Sequence, residues 1–283
     1  MPVAPPVLVD TAPSLTPPRF GLLSAGELVD WNDPHLHNGV EFVPNASGAA
    51  AVEGSYTDPY VTPTLDTEVP TVVSGPIPVV AGYNLPTTAL TADEAAARAR
   101  ARLSAGEVAA VEKHLWEDAD HPLAGGAVPL ATDAVSLVQA IGMIEDYFGA
   151  RYGGTPVIHA PRQLGAYAAS EDVTVREGQK MTTPLGSVWS FGNYPGTLDG
   201  SGVWLIATGQ VQIRRSDITV HGADHATSLN RTSNRVRVSA HRTYIVTWDG
   251  IAAAVPIDVD FAGPTTTYPG STVFPGLTYP QGA

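Results

Sequence analysis

Eight prolines, at positions 34, 44, 59, 63, 70, 76, 78 and 86, fall in a stretch that holds no lysine or arginine between Arg19 and Arg98. Proline fixes φ and removes a backbone donor, so this third of the chain cannot be helical and has little material for a core of its own. Its charge has one sign, carried by Glu27, Asp30, Asp33, Glu41, Glu53, Asp58, Asp66, Glu68, Asp93 and Glu94. A solvated tether would be poor in large apolar groups, yet Trp31, Phe42, Tyr56, Tyr60, Val72, Val73, Ile77, Val79 and Val80 are spread through it. The stretch reads as an acidic, extended arm that lies on something, with short strands at "TVVSG" and "IPVVAGY".

The rest of the composition narrows the class. With 283 residues the chain has room for one large domain or two smaller ones with real cores. Hydrophobic residues make up 43% and charged residues 15%, so much of the surface is expected to be covered by neighbours. The absence of cysteine excludes disulfides, thiolate metal sites and cysteine nucleophiles. A formal net charge of −13 argues against a protein whose main task is gripping phosphates. The start, "MPVAPPVLVDTAPSLTPPRF", lacks a basic region and an unbroken apolar run, so it does not read as a signal peptide, and no segment approaches a membrane span.

At residue 91 the pattern changes. "TADE" sets Thr91 as N-cap with Glu94 three residues on, which predicts a long helix on a surface, ending near Asp118. Its apolar stripe is Ala96, Ala99, Leu103, Ala110, Val111 and Leu115, and "SAGE" at 104–107 repeats the capping pattern, so a kink or restart is expected there. A second, buried helix is expected from about Thr132, with Leu137, Ile141, Ile144 and Phe148 on one face and a stop at Gly153 and Gly154. "PVIHA" reads as a buried strand and "PRQLGAYAAS" as a helix with Pro161 at its first position. "SVWSFGN", "GVWLIATG", "QVQIRRS", "NRVRVSAHR", "TYIVTWDG" and "AAAVPIDVDF" read as strands, followed by a proline-bearing tail.

Residues able to carry chemistry are few. His159 sits at a strand end, but its neighbours Val157, Ile158 and Ala160 are apolar and no nucleophile elbow is present, so it reads as scaffold with ring nitrogens satisfied by backbone or water. Asp33, His35 and His37, and likewise His221, Asp224 and His225, lack the helical spacing of a zinc protease and read as polar loops. Arg231, Arg235, Arg237 and Arg242 read as one interface-facing side of a strand in preference to a DNA contact. No catalytic residue, metal or cofactor is expected.

The order of these parts resembles the major capsid protein of tailed bacteriophages, the Hong Kong ninety-seven type of shell fold, over nearly the whole chain. "GGTPVIHAPRQLGAYAAS" is similar to that family's strand, proline and short-helix element. "MTTPLGSVWSFGNYPG" is similar to its strand before a loop, "GVWLIATGQVQIRRS" to the following hairpin, and "HRTYIVTWDGIAAAVPI" stands where the family has its last spine-domain strands. The resemblance implies an α+β fold with an N-terminal arm at 1–36, an extended hairpin loop reaching over a neighbour at 37–90, and a peripheral spine-helix domain at 91–130 and 236–263. A central α/β axial domain at 131–235 and a C-terminal tail at 264–283 complete it.

The function implied is self-assembly, as hexamers and pentamers, into the icosahedral shell of a tailed phage, built in the host bacterial cytoplasm around double-stranded DNA held without sequence preference. A separate scaffolding protein, a portal and a decoration protein are the further partners it implies; a membrane is not one. Candidates for subunit contact are Arg98, Arg100, Arg102, Val72, Ile77, Val79, Arg235 and Arg237, with the acidic arm of one copy lying over the basic helix surface of the next. An encapsulin-type nanocompartment shell would share the fold. A tail or decoration protein, which would show a ring, a tube or a surface knob in negative stain, and a hydrolase built on His159 with Ser or Asp, whose turnover would be lost in His159→Ala, are the other readings. The prolines before residue 20 lead us to expect no large N-terminal piece to be cleaved, and with Lys113 and Lys180 the only lysines, no lysine in the arm is available for the isopeptide cross-link of the family's type member.

Overall fold

The structure, a computed structural model, describes residue 16 and residues 18–44, 71–86, 91–117, 123–198, 202–222, 229–230 and 232–259. In chain order come helix α1 (Leu22–Ala25), strand β1 (Glu27–Asp30), a 3-10 turn (Pro34–Asn38), β2 (Val40–Phe42), β3 (Val72–Ser74) and β4 (Ile77–Pro86). The long helix α2 (Ala92–Glu117) is followed by β5 (Val128–Pro129), α3 (Leu137–Arg151), β6 (Val157–Pro161) and α4 (Leu164–Ser170). Then come β7 (Val175–Glu177), β8 (Lys180–Thr182), β9 (Val188–Gly192), β10 (Val203–Thr208) and β11 (Val211–Arg215). The last are β12 (Thr219–His221), β13 (Leu229–Asn230), β14 (Arg235–Trp248) and β15 (Ala252–Ile257).

Helix α2 begins as its sequence dictates. Thr91 N donates to Glu94 Oε2 at 2.8 Å and Glu94 N donates to Thr91 Oγ1 at 3.3 Å, a reciprocal cap that satisfies two orphan donors. The helix runs unbroken through Ser104 and Gly106, against the expected kink, because mid-helix amides are already bonded within the helix and leave a second cap nothing to satisfy. Its buried row advances four residues at a time: Ala95, Ala99, Leu103, Glu107, Val111 and Leu115. Ala110, assigned to that stripe, is exposed. The row packs on β4 and β14, and each of the larger side chains contributes about 1.5–3 kcal/mol through burial. The alanines near the start let β4 approach closely.

Strand β14 is one continuous strand where two were expected, and it organises a six-stranded sheet. Ten of its residues pair antiparallel with β4, from Arg235 opposite Pro86 to Tyr244 opposite Ile77, while β11, β12 and β13 share its other edge and β1 extends β11. Gly82 is required in this ladder, since a Cβ there would stand 2.4 Å from the Val238 carbonyl oxygen. Strands β2 and β3 pair antiparallel as a separate two-stranded sheet, and residues 45–70 between them, with Tyr56 and Tyr60, lie outside the described set.

The second sheet has seven strands in the order β5-β15-β10-β6-β9-β8-β7. Its central strands are buried on both faces. Ile158, Ala160, Trp189, Leu205, Ala207, Ala253 and Val255 pack with α3 and α4, whereas Val157, Val188, Ile206 and Ala254 join the core beneath α2. The sheet is thus a middle layer between two cores, which explains why these strands read as unbroken apolar runs. Helix α3 starts at Leu137 and not near Thr132, with the Ser136 hydroxyl accepting from Gln139 N at 3.3 Å, because β5 and a bridge from Val135 to Ile257 occupy the preceding residues. Pro161 closes β6 instead of opening a helix.

Sheet membership crosses the linear division into units. Strand β15, expected with the spine helix, is an inner strand of the seven-stranded sheet, and β11 to β13, expected in the central domain, are bonded to β14. Among the described residues no helix is long and apolar enough to cross a membrane.

Candidate functional site

His159 is fully buried and bonded at both nitrogens. The Thr208 hydroxyl donates to the Gly209 carbonyl, so it accepts from His159 Nε2–H at 3.0 Å. That leaves Nδ1 to accept from the Tyr194 hydroxyl at 3.1 Å, and Tyr194 accepts in turn from Ser190 Oγ at 2.9 Å. The partners are side chains, where backbone or water was expected. Burial pushes the imidazole down to about 3 and the Tyr194 phenol well above its ordinary range, so the chain of hydroxyls holds a neutral ring. A group sealed from solvent in this way ties β6 to β10 and does not reach a substrate.

Two carboxylates on α2 escaped the sequence reading. Glu107, in the middle of the buried row, faces Arg242 of β14 at 2.8 Å. Glu112 accepts from Leu22 N at 2.9 Å, Asn193 N at 2.7 Å and Asn193 Nδ2 at 3.0 Å, tying α1 and the loop after β9 to the helix. The signal for Glu107 was its position four residues after Leu103 and four before Val111; Glu112 carries no comparable signal, because its partners come from distant loops. Arg242, expected to share an interface-facing side with Arg235 and Arg237, has its side chain only 13% exposed, since alternation along β14 turns even-numbered residues toward α2.

The opposite face of β14 presents Arg235, Arg237, Ser239 and His241, with the two arginines exposed. Arg231, Asp224 and His225 lie outside the described residues. The other polar loop has a structural explanation: Asp33 caps the 3-10 turn by accepting from His35 N at 2.8 Å, and His37 Nδ1 lies 3.0 Å from Thr243 Oγ1. No group of metal ligands forms among the described residues.

No protein-family model and no curated protein matches the sequence. Solved structures do. The chain is similar to the capsid of an empty GTA particle, with a TM-score of 0.55 and 12% identity over 90% of this chain and 96% of that one. The capsid of the native GTA particle gives a TM-score of 0.53 and 10% identity, covering 90% and 96%. The holo-SrpI encapsulin complex from Synechococcus elongatus gives a TM-score of 0.50 and 12% identity, covering 89% and 92%. The chain has the Hong Kong ninety-seven-type shell fold.

Within this shell fold the expected contact residues divide. Ile77 and Val79 are corrected: they alternate toward α2 and are buried in the chain's own core, which leaves them no surface to offer a neighbour. Arg102 is exposed but engaged, its Nη1 donating to the Gly82 carbonyl at 3.3 Å and its guanidinium 5.2 Å from the Tyr83 ring centre. The arm strand on that helix is thus the chain's own β4. Arg98 and Arg100 point to solvent on α2. Val72 is 39% exposed beside a groove of about 590 Å³ that Leu115, Leu123, Val246 and Trp248 also line. Of the arm carboxylates, Asp30 is held by Arg215 at 2.6 Å, which keeps its carboxyl below the usual range.

Proposed function

We propose that the chain is the major capsid protein of a tailed phage, assembling as hexamers and pentamers into an icosahedral shell around double-stranded DNA. The observation that carries this reading is the extent of the match, which covers nine-tenths of this chain and 96% of the GTA capsid chain, so the likeness is one of a whole fold and not of a shared motif. The task is geometric. A two-core body, held by Glu107 and Glu112, carries the β2–β3 pair as a small sheet of its own, and an extension from such a separate sheet suits both hexamer and pentamer surroundings. Val72, Arg98, Arg100, Arg235 and Arg237 are the surface groups left to meet neighbours, a separate scaffolding protein or a decoration protein, and the shell is assembled in the host bacterial cytoplasm. Enzymatic turnover has no part in this reading, and His159 is structural.

The encapsulin match supports a second reading, a nanocompartment shell with protein cargo. Expression of the chain followed by negative-stain microscopy is expected to give closed icosahedral shells. Rings, tubes or free monomers under all assembly conditions would overturn both readings, and a co-purified protein cargo in place of packaged DNA would favour the second.

A further inference from the structure

Strand β4 is a long edge left open. Its ten residues pair with β14 in unbroken register, and among the described residues no strand pairs with its other side. Proline cannot donate to a ladder, so the pairs at Pro78 and Pro86 are non-bonded ones, and bonded pairs alternate with them. Val80, Gly82 and Asn84 therefore turn both N–H and C=O away from β14. Two sets of bonds confirm that phase. Thr243, opposite Pro78, donates its N–H to Ser216 Oγ and accepts from Ser216 N at its carbonyl, both at 3.0 Å and on the side away from β4. Arg102 Nη1 reaches the Gly82 carbonyl from outside the sheet at 3.3 Å.

Proteins ordinarily guard such an edge with charged side chains on the strand or with bulges. The sequence of β4, "IPVVAGYNLP", has no charged residue, and its register has no break. It is instead symmetric about Gly82: Pro78 and Pro86 each stand four residues away, Val80 and Asn84 two. A second β4 laid antiparallel about a two-fold axis at Gly82 sets Val80 opposite Asn84 of the second copy and Gly82 opposite its own equivalent. Each of these residues then gives and accepts one backbone bond, and the prolines, which bring no donor, end the ladder on both sides. On the α2 face the half-buried Ala81 meets Tyr83 of the second copy, and Val79 meets Leu85. The exposed Arg235 and Arg237 lie one strand further in, so those of the two copies are roughly 14 Å apart, three strand spacings, and largely screened.

We propose that β4 is a self-complementary interface, through which two copies of this chain join their six-stranded sheets edge to edge about a two-fold axis at Gly82. The proposal rests on the shell reading for its need of a second copy. A contact of this symmetry uses the same surface on both partners and closes on itself, so it links subunits in pairs and does not propagate into a fibre.

The test uses the full chain, which has no cysteine of its own. In the paired arrangement the Cα atoms of residue 80 in one copy and residue 84 in the other are about 5.5 Å apart, within the roughly 4.4–6.8 Å that a disulfide spans. Residues 80 and 84 of one strand, and like residues of the two copies, are on the order of 13 Å apart and cannot join. Val80 and Asn84 are both exposed, so cysteine at either position should not disturb folding. Shells carrying Val80→Cys and Asn84→Cys together are oxidised at about 0.5 M salt, where the like charges of the two Arg102 side chains near the axis are screened. They are expected to run as covalent dimers on a non-reducing denaturing gel. An equal mixture of the two single variants should also give dimers, and either single variant alone about tenfold less. Shells without dimers, or single variants that cross-link as readily as the double one, overturn the proposal and leave this edge to another strand. Where shells do not form, the same gel is run on concentrated subunits: dimers uphold the contact and monomers overturn it. The shell reading is judged separately, by microscopy of the wild type, so either can fail alone.

Discussion

Glu107 of α2 and Arg242 of β14 meet at 2.8 Å with side chains 6% and 13% exposed, and this pair fixes the spine helix on the sheet. Removing one member leaves a charge out of water with no partner, whereas removing both leaves an apolar contact. Glu107→Ala is expected to cost about 3 kcal/mol of subunit stability, and Glu107→Leu with Arg242→Met much less. Urea unfolding of unassembled subunits measures both; equal losses would show that helix packing, and not the charge pair, sets the value.

The His159 ring gives the subunit an acid sensitivity of known sign. Its folded-state value near 3 lies below the ordinary value of 6.5, so the unfolded chain takes up a proton on acidification that the folded chain refuses. Stability from this residue is therefore complete above pH 6.5 and falls by about 1.4 kcal/mol per pH unit as the solution is taken from pH 6 to pH 4. His159→Gln, which keeps two polar ends but does not titrate, should flatten the midpoint-against-pH curve in that range while lowering stability at neutral pH.

Arg98 and Arg102 lie one helical turn apart on α2 and should behave differently. Arg102 holds the Gly82 carbonyl and the Tyr83 ring, so Arg102→Ala is expected to cost about 0.5–1 kcal/mol. Arg98→Glu and Arg100→Glu should leave thermal unfolding of the subunit within about 0.5 kcal/mol of wild type. If these two nevertheless reduce the yield of closed shells, their role is in assembly, which is the proposed one; shell yields equal to wild type in low salt would remove them from the contact surface.

Boiling mature shells in detergent is expected to give monomer-sized bands. Both lysines fall outside residues 37–90, Lys113 on α2 and Lys180 on β8, so an isopeptide formed from a lysine of that stretch has no donor in this sequence. A ladder of covalent multimers would contradict this.

Local rules carried the sequence reading a long way. The Thr91 and Glu94 cap, the apolar row on α2 and the unbroken apolar strands β6, β9, β10 and β15 follow from neighbours within a few residues, where spacing alone decides which groups share a face. The same rules could not foresee that β14 runs on through Arg242 and Thr243, that Ile77 and Val79 serve their own core, or that Pro161 ends a strand. Each of those outcomes is set by a partner distant in sequence: β4 along β14, α2 over β4, and β9 beside β6. Glu112 is the clearest case, since a carboxylate in a helix looks like surface until α1 and Asn193 bring it three donors from 90 and 81 residues away. The sequence by itself determined the start and apolar row of α2 and the inner apolar strands, because those choices cost or gain free energy residue by residue. Only the tertiary structure decided which polar groups are buried, because a buried charge is tolerated only where the fold delivers its partner.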